Sequence, residues 1–315
     1  MKIVLIIKDW DFINLKRQTL NFDYKWNDFQ FTEDLDSKYD YVVVLGFVTK
    51  DYNLSCAKEN AILLTQEPPN SRYNWLPNSF SQFGTVLTQF ESTDDHVINH
   101  QPCIPWFINK SYDQLKNEEP EFSSKKHLIS CITSTKNTLP GHDLRLKFLY
   151  ELKNNISFDL FGKGYQYIAD KYDGLRDYKY SLAIENTSVK DYWTEKIADC
   201  YLSYSMPIYY GCTNISEYFP EDSFIQIDIN NIPEAIEIIN NAIENKMWEK
   251  NMESIIQARN LVLDNYQFFP SISKVINEMP EIRNSDNKIL LSKNYFPENG
   301  NSFLTNLLKW VKIKN

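Results

Sequence analysis

Short, almost wholly apolar runs separated by polar segments organise the first third of the chain. Residues 3–7 (IVLII), 40–46 (DYVVVLG) and 61–65 (AILLT) are rich in Val, Ile and Leu and end in polar or turn residues, and 85–88 (TVLT) is a further run. Continuous apolar runs, as opposed to alternating ones, suit parallel strands buried on both faces. The pattern therefore predicts an α/β sheet. It places Gln66-Glu67-Pro68-Pro69-Asn70-Ser71 at a strand's C-terminal end, where open α/β sheets bind ligands. From Asn109 to Lys126 the composition turns charged and polar, and a domain boundary is expected there. The expected division is 1–120, 121–290 and a tail over 291–315.

Apolar patterning resumes at His127-Leu128-Ile129-Ser130-Cys131-Ile132, and a turn at Leu139-Pro140-Gly141 leads to a helix with Leu144, Phe148, Leu149 and Leu152 at helical spacing. Arg145 is expected in its opening turn, where positive charge opposes the helix dipole unless an anion shares the site. Phe158-Asp159-Leu160-Phe161 reads as a strand ending in the glycine turn Gly162-Lys163-Gly164, a weak signal taken alone. Residues 178–211 combine a buried strand, a polar turn, an amphipathic helix and a second strand. The turn and helix start hold Glu185, Asn186, Tyr192, Glu195 and Lys196. The apolar face Ile197, Cys200, Tyr201 and Tyr204 starts the helix at about Asp191 to Thr194, either of which can cap it, and puts Lys196 in the first turn. A lysine there is electrostatically awkward unless a phosphate neutralises it, or unless it points to water.

Further on, 223–228 reads as a strand, 232–246 as a helix with core face Ala235, Ile236, Ile239 and Ile243, and 247–265 as another helix. From Asn301 a last helix is expected, with Phe303, Leu304, Leu307, Leu308 and Val311 apolar and Lys309, Lys312 and Lys314 late in the segment. It either packs on the body or docks at a membrane surface.

Composition narrows the function classes. A chain of 315 residues suits two domains. Its net charge of −9 argues against a nucleic-acid partner, whose phosphates require clustered Lys and Arg, while a few convergent cations still allow an anionic small molecule. Five scattered cysteines and four histidines form no CxxC or HExxH pattern, so reduced core cysteines and no metal or other cofactor are expected. No apolar run reaches the length of a membrane span, and the N-terminal run reads as a first strand; a cytoplasmic location, peripheral at most, is the expectation.

Three segments together resemble a known family. Tyr178-Lys179-Tyr180-Ser181-Leu182-Ala183-Ile184-Glu185-Asn186, then Asp191-Tyr192-Trp193-Thr194-Glu195-Lys196, then Pro207-Ile208-Tyr209-Tyr210-Gly211 resemble the signature of the α-1,3/4-fucosyltransferases, glycosyltransferase family ten. Pro220-Glu221-Asp222-Ser223-Phe224 continues the resemblance. It implies a GT-B architecture of two Rossmann-like domains facing across a cleft, with GDP-fucose held by the C-terminal one and an oligosaccharide or lipid-linked glycan as acceptor. By position it implies that Glu195 binds the ribose, Lys196 and Arg145 the diphosphate, and Asn186 and Tyr192 the nucleotide sugar. It further implies an inverting transfer in which Glu67, in a loop resembling the family's E-S-P, is the base; Asp9 and Asp11 are reserve candidates. The sequence departs from the family at Ile184, Trp193 and Pro68. Another GDP-linked deoxyhexose or pentose donor, and a non-catalytic nucleotide-sugar or glycan-binding protein, stand as alternatives.

Overall fold

The computed structural model describes residues 1–11, 13–119, 122, 125–280 and 287–296. The helix expected from Asn301 lies outside these residues. The chain divides into two compact units, one formed by Met1–Ile104 together with the segment from Phe268, the other by Pro105–Gln267.

In the first unit the strands are β1 (Lys2–Lys8), β2 (Lys25–Trp26), β3 (Phe29–Thr32), β4 (Tyr41–Leu45), β5 (Tyr52–Leu54), β6 (Ala61–Leu64), β7 (Thr85–Thr88) and β8 (Val97–Asn99). Seven of them form a sheet in the order β2-β3-β1-β4-β6-β7-β8, parallel except for the short β2–β3 hairpin. The apolar runs become its central strands because nearly every side chain of β1, β4 and β6 is covered, on one face by Tyr73, Leu76, Phe80 and Phe83. The connections are mostly short 3-10 turns.

The second unit contains α1 (Tyr112–Asn117), β9 (His127–Ile132), α2 (Pro140–Leu152), β10 (Asp159–Phe161), β11 (Tyr178–Ile184), α3 (Glu195–Leu202), β12 (Met206–Tyr210), β13 (Ile225–Gln226), α4 (Ile232–Glu244), α5 (Met247–Lys250) and α6 (Met252–Leu261). Its sheet runs β10-β9-β11-β12-β13, wholly parallel. From β9 the chain builds first to one side, with β10, and then to the other, with β11. The strand order therefore reverses at β9/β11, and a crevice for ligands opens at the carboxyl ends of strands at such a switch point. Glu185 and Asn186 directly follow β11, which places them there by topology.

Several local expectations shift. The polar segment expected as a boundary contains α1, whose Ser111 hydroxyl and Gln114 side chain form a capping box. Helix α2 begins at Pro140, where proline's missing N–H costs nothing, so Arg145 sits in the second turn and not in the opening one. The helix expected over 247–265 is interrupted at Asn251 and ends in a π-helical turn, Val262–Tyr266. After it, α7 (Phe268–Glu278) returns to the first unit, where Phe268 and Phe269 pack edge-on against Phe31. Finally β14 (Ile289–Leu291) pairs antiparallel with β5.

Candidate functional site

The polar groups of the second unit converge where β11 runs into α3. Thr194 caps α3: its hydroxyl oxygen accepts from the Lys196 amide at 3.4 Å. The same hydroxyl, and the Thr194 amide, donate to Glu185 Oε1 at 2.7 and 2.9 Å. Lys196 Nζ lies 2.8 Å from Glu185 Oε2. Lys196 therefore has a protein counter-ion in Glu185, and the electrostatic difficulty expected of a lysine in the first turn is met without a ligand. Glu185 is itself locked in place by Gly211, where a Cβ would stand 2.5 Å from Glu185 Cγ.

Glu195, the first residue of α3, is 3% exposed. Its Oε1 is 3.2 Å from Lys171 Nζ and 3.8 Å from Lys196 Nζ, while its Oε2 is buried without a hydrogen-bond partner. Burial alone would raise its pKa, but Lys196 and Lys171 outweigh burial and hold it down at about 2. Asp199, one helical turn on, also faces Lys171 at 3.3 Å and accepts from the Phe107 amide at 2.8 Å. Burial pushes Asp199 up to about 6 in spite of that lysine, and repulsion from the neighbouring Glu195 carboxylate adds to the rise.

Arg145 reaches the same region from α2. It is 6% exposed and its Nε is buried without a hydrogen-bond partner. Burial lowers its pKa from the ordinary value, and attraction to Cys131, Glu185 and Glu195 opposes that. A buried guanidinium with a donor in reserve is suited to taking an anion, since the unmade bond costs free energy until an acceptor arrives. The start of α2 packs on the loop after β11 so tightly that a Cβ on Gly141 would meet the Asn186 carbonyl oxygen at 1.8 Å. His142 Nε2 lies 3.4 Å from the Asn186 side-chain amide, whose Oδ1 is buried without a partner. Tyr192 is buried, and beside it Trp193 packs against Tyr218, Phe219 and Tyr266.

The structure thus brings Arg145, Asn186, Glu195 and Lys196 to one switch point and holds Tyr192 in the same loop, buried. Two charged side chains of this cluster, Lys171 and Asp199, are not among the candidates read from the sequence. Asp199 was readable as the i+4 neighbour of Glu195 on one helix face. Lys171 was not, because the polar segment that carries it has no periodicity.

Glu67 belongs to the first unit. It follows β6 and is 1% exposed, which sets it apart from an ordinary solvated loop glutamate. Its neighbour Gln66 accepts from Trp10 Nε1 at 3.1 Å, tying the end of β6 to the end of β1. Asp9 is exposed and accepts from the Thr49 amide and, at 3.2 Å, the Tyr52 hydroxyl; Asp11 is exposed. Among the described residues no group of three or more His, Cys, Asp or Glu is placed to hold a metal ion, and no helix is long and apolar enough to cross a membrane.

Residues 122–247 match the family model described as glycosyltransferase family 10 (fucosyltransferase), C-terminal. Human 4-galactosyl-N-acetylglucosaminide 3-alpha-L-fucosyltransferase 9 is 33% identical over 179 residues, 54% of this chain and 48% of that protein. The alpha-(1,3)-fucosyltransferase FucT of Helicobacter pylori is 34% identical over 146 residues, 44% of this chain and 27% of that protein. The chain thus spans about half the length of the first of these relatives, and less of the second. In overall fold it is similar to a crystal structure of an alpha1,3-fucosyltransferase with GDP, with a TM-score of 0.54 at 20% identity over 91% of this chain and 92% of that one. The architecture, two α/β units built on parallel sheets, is of the GT-B type.

Proposed function

We propose, from the match of residues 122–247 to the family model described as glycosyltransferase family 10 (fucosyltransferase), C-terminal, that the chain transfers fucose from GDP-fucose to a glycan hydroxyl, with inversion and without a metal. The observation that carries this reading is Arg145: a buried guanidinium at a sheet switch point, with an Nε donor that no protein group accepts. A diphosphate supplies the acceptor. Relatives that act as fucosyltransferases, and a structural neighbour that holds GDP, support the choice of nucleotide and sugar.

In the proposed reaction Glu67 takes the proton of the acceptor hydroxyl as its oxygen bonds to the anomeric carbon. The bond from that carbon to the diphosphate oxygen breaks, and GDP leaves with the electron pair. Arg145 and Lys196 stabilise the charge that develops on the diphosphate, which is the role a metal plays elsewhere. Lys196 does so while already bonded to Glu185, so its position is fixed before the ligand arrives. Glu195 and Asn186 bind the nucleotide sugar through Oε2 and Oδ1, both buried without a hydrogen-bond partner.

The test is nucleotide release from GDP-fucose, other GDP-sugars and UDP-sugars, with and without a glycan acceptor array. GDP-fucose with a glycan acceptor is expected to be the productive combination, in EDTA as well as in buffer. Preference for a UDP-sugar overturns the donor assignment, and loss of activity in EDTA overturns the cation-only account of the leaving group. Glu67→Gln is expected to keep GDP affinity and to lose transfer by about a hundredfold or more; full transfer moves the base elsewhere, with Asp9 and Asp11 next.

A further inference from the structure

Resting on the nucleotide-site reading above, we propose that Lys171 is a positioning residue that fixes the rotamer of Glu195 and thereby sets the site's demand for ligand hydroxyls. Lys171 is no neighbour of Glu195 in sequence. It arrives on a separate 3-10 turn, Lys171–Gly174, capped by Asp170, whose carboxylate accepts the amides of Tyr172 and Asn109, each at 3.0 Å. The backbone that carries the lysine is therefore pinned from two directions. Its ammonium sits 4.7 Å from the centre of the Phe107 ring, and the Phe107 amide donates to Asp199, the second carboxylate that the lysine touches.

Two contacts hold the ammonium between Glu195 Oε1 and Asp199 Oδ2, and neither carboxylate can follow it if it moves: Asp199 is fastened to the Phe107 amide, and Glu195 begins a capped helix. The consequence falls on the other oxygen of Glu195. With Oε1 occupied by Lys171, and Lys196 at 3.8 Å, the carboxylate cannot turn Oε2 into that cation pair, and Oε2 stays buried without a donor. A bare carboxylate oxygen repels phosphate and accepts from a neutral O–H or N–H. In a nucleotide site the matching chemistry is the ribose diol, as where an acidic residue accepts from ribose in other α/β nucleotide sites. Lys171 touches no ligand in this account; it acts through Glu195.

The test titrates GDP and 2′,3′-dideoxy-GDP into the full chain by calorimetry, for the wild type, Lys171→Met and Lys171→Arg. The wild type is expected to favour GDP by about tenfold or more, the size of a hydrogen bond to a charged acceptor. Lys171→Met keeps the stem and removes the cation, so GDP affinity should fall while dideoxy-GDP affinity holds, bringing the ratio toward one; Lys171→Arg should restore the preference. A lysine with a merely structural role would weaken both nucleotides alike, and an unchanged ratio in the Met variant overturns the proposal. A wild type that binds neither nucleotide overturns the nucleotide reading itself, which is a different failure. Should Lys171→Met not fold, Lys171→Gln, whose uncharged amide falls one bond short of the ammonium's place between the two carboxylates, is expected to lower the ratio as well, though less than the Met variant would, and an unchanged ratio there equally overturns the proposal.

Discussion

Two cations expected to share one role are held differently, and this separates their variants. Lys196→Ala removes the counter-ion of a fully buried Glu185 carboxylate, so it should cost about 3 kcal/mol of folding stability as well as GDP affinity. Arg145→Ala removes a guanidinium whose Nε makes no protein hydrogen bond, so GDP affinity should fall about tenfold or more with a smaller loss of stability. Urea denaturation and calorimetry on the two variants check this; equal stability losses would refute it. The two carboxylates that share Lys171 make opposite pH contributions. Glu195 is held down at about 2, so its stabilisation is full above its ordinary pKa of 4.5 and is lost as pH falls toward 2. Asp199 is raised from 3.8 to about 6, so the folded chain holds that proton more tightly and stability from this residue falls as pH rises between those values. Relative to wild type, Asp199→Asn should therefore gain on the order of 2 kcal/mol between pH 4 and pH 7, measured as unfolding free energies across that range.

Among the elements, the contact between α2 and the loop after β11 matters most to the site. Gly141 is a point of close approach, and a Cβ there collides with the Asn186 backbone, which cannot swing aside as a long side chain would. Gly141→Ala should therefore push α2 outward, displace Arg145 and cost about 1–3 kcal/mol. The same substitution at an ordinary exposed helix position would stabilise by up to about 1 kcal/mol. A thermal melt of the variant, with GDP binding measured alongside, distinguishes the two; a stabilised variant with intact binding would show that the contact yields. Burial in α4 also differs in detail from its expected face: Ala235, Ile239 and Ala242 are fully covered, while Ile236 and Ile243 lie at the margin of the core.

For the whole molecule, the decisive event is the return of the chain to the first unit at Phe268. That unit's strands are joined by short turns with little helix of their own, and α7 supplies Phe268 and Phe269 against Phe31 of β3. Phe269 is fully buried, so Phe269→Ala should cost about 3–5 kcal/mol. The loss should appear as faster proteolysis of the first unit while Pro105–Gln267 stays protected; uniform loss of protection would show that the two units unfold as one.

The amino-acid order alone determined the central strands, because an apolar run buried on both faces leaves its mark in every residue. It also determined the strand–turn–helix that carries Glu185, Asn186, Glu195 and Lys196, because capping, helical periodicity and a family pattern coincide within that stretch. What only the tertiary structure decided are the pairings of side chains that no local spacing links. Glu185 satisfies Lys196 before any ligand does, Lys171 comes from outside the motif to restrain Glu195, and Gly141 sets the approach of α2. None of these has a local periodicity to read, since each arises from where parallel strands bring their carboxyl ends together.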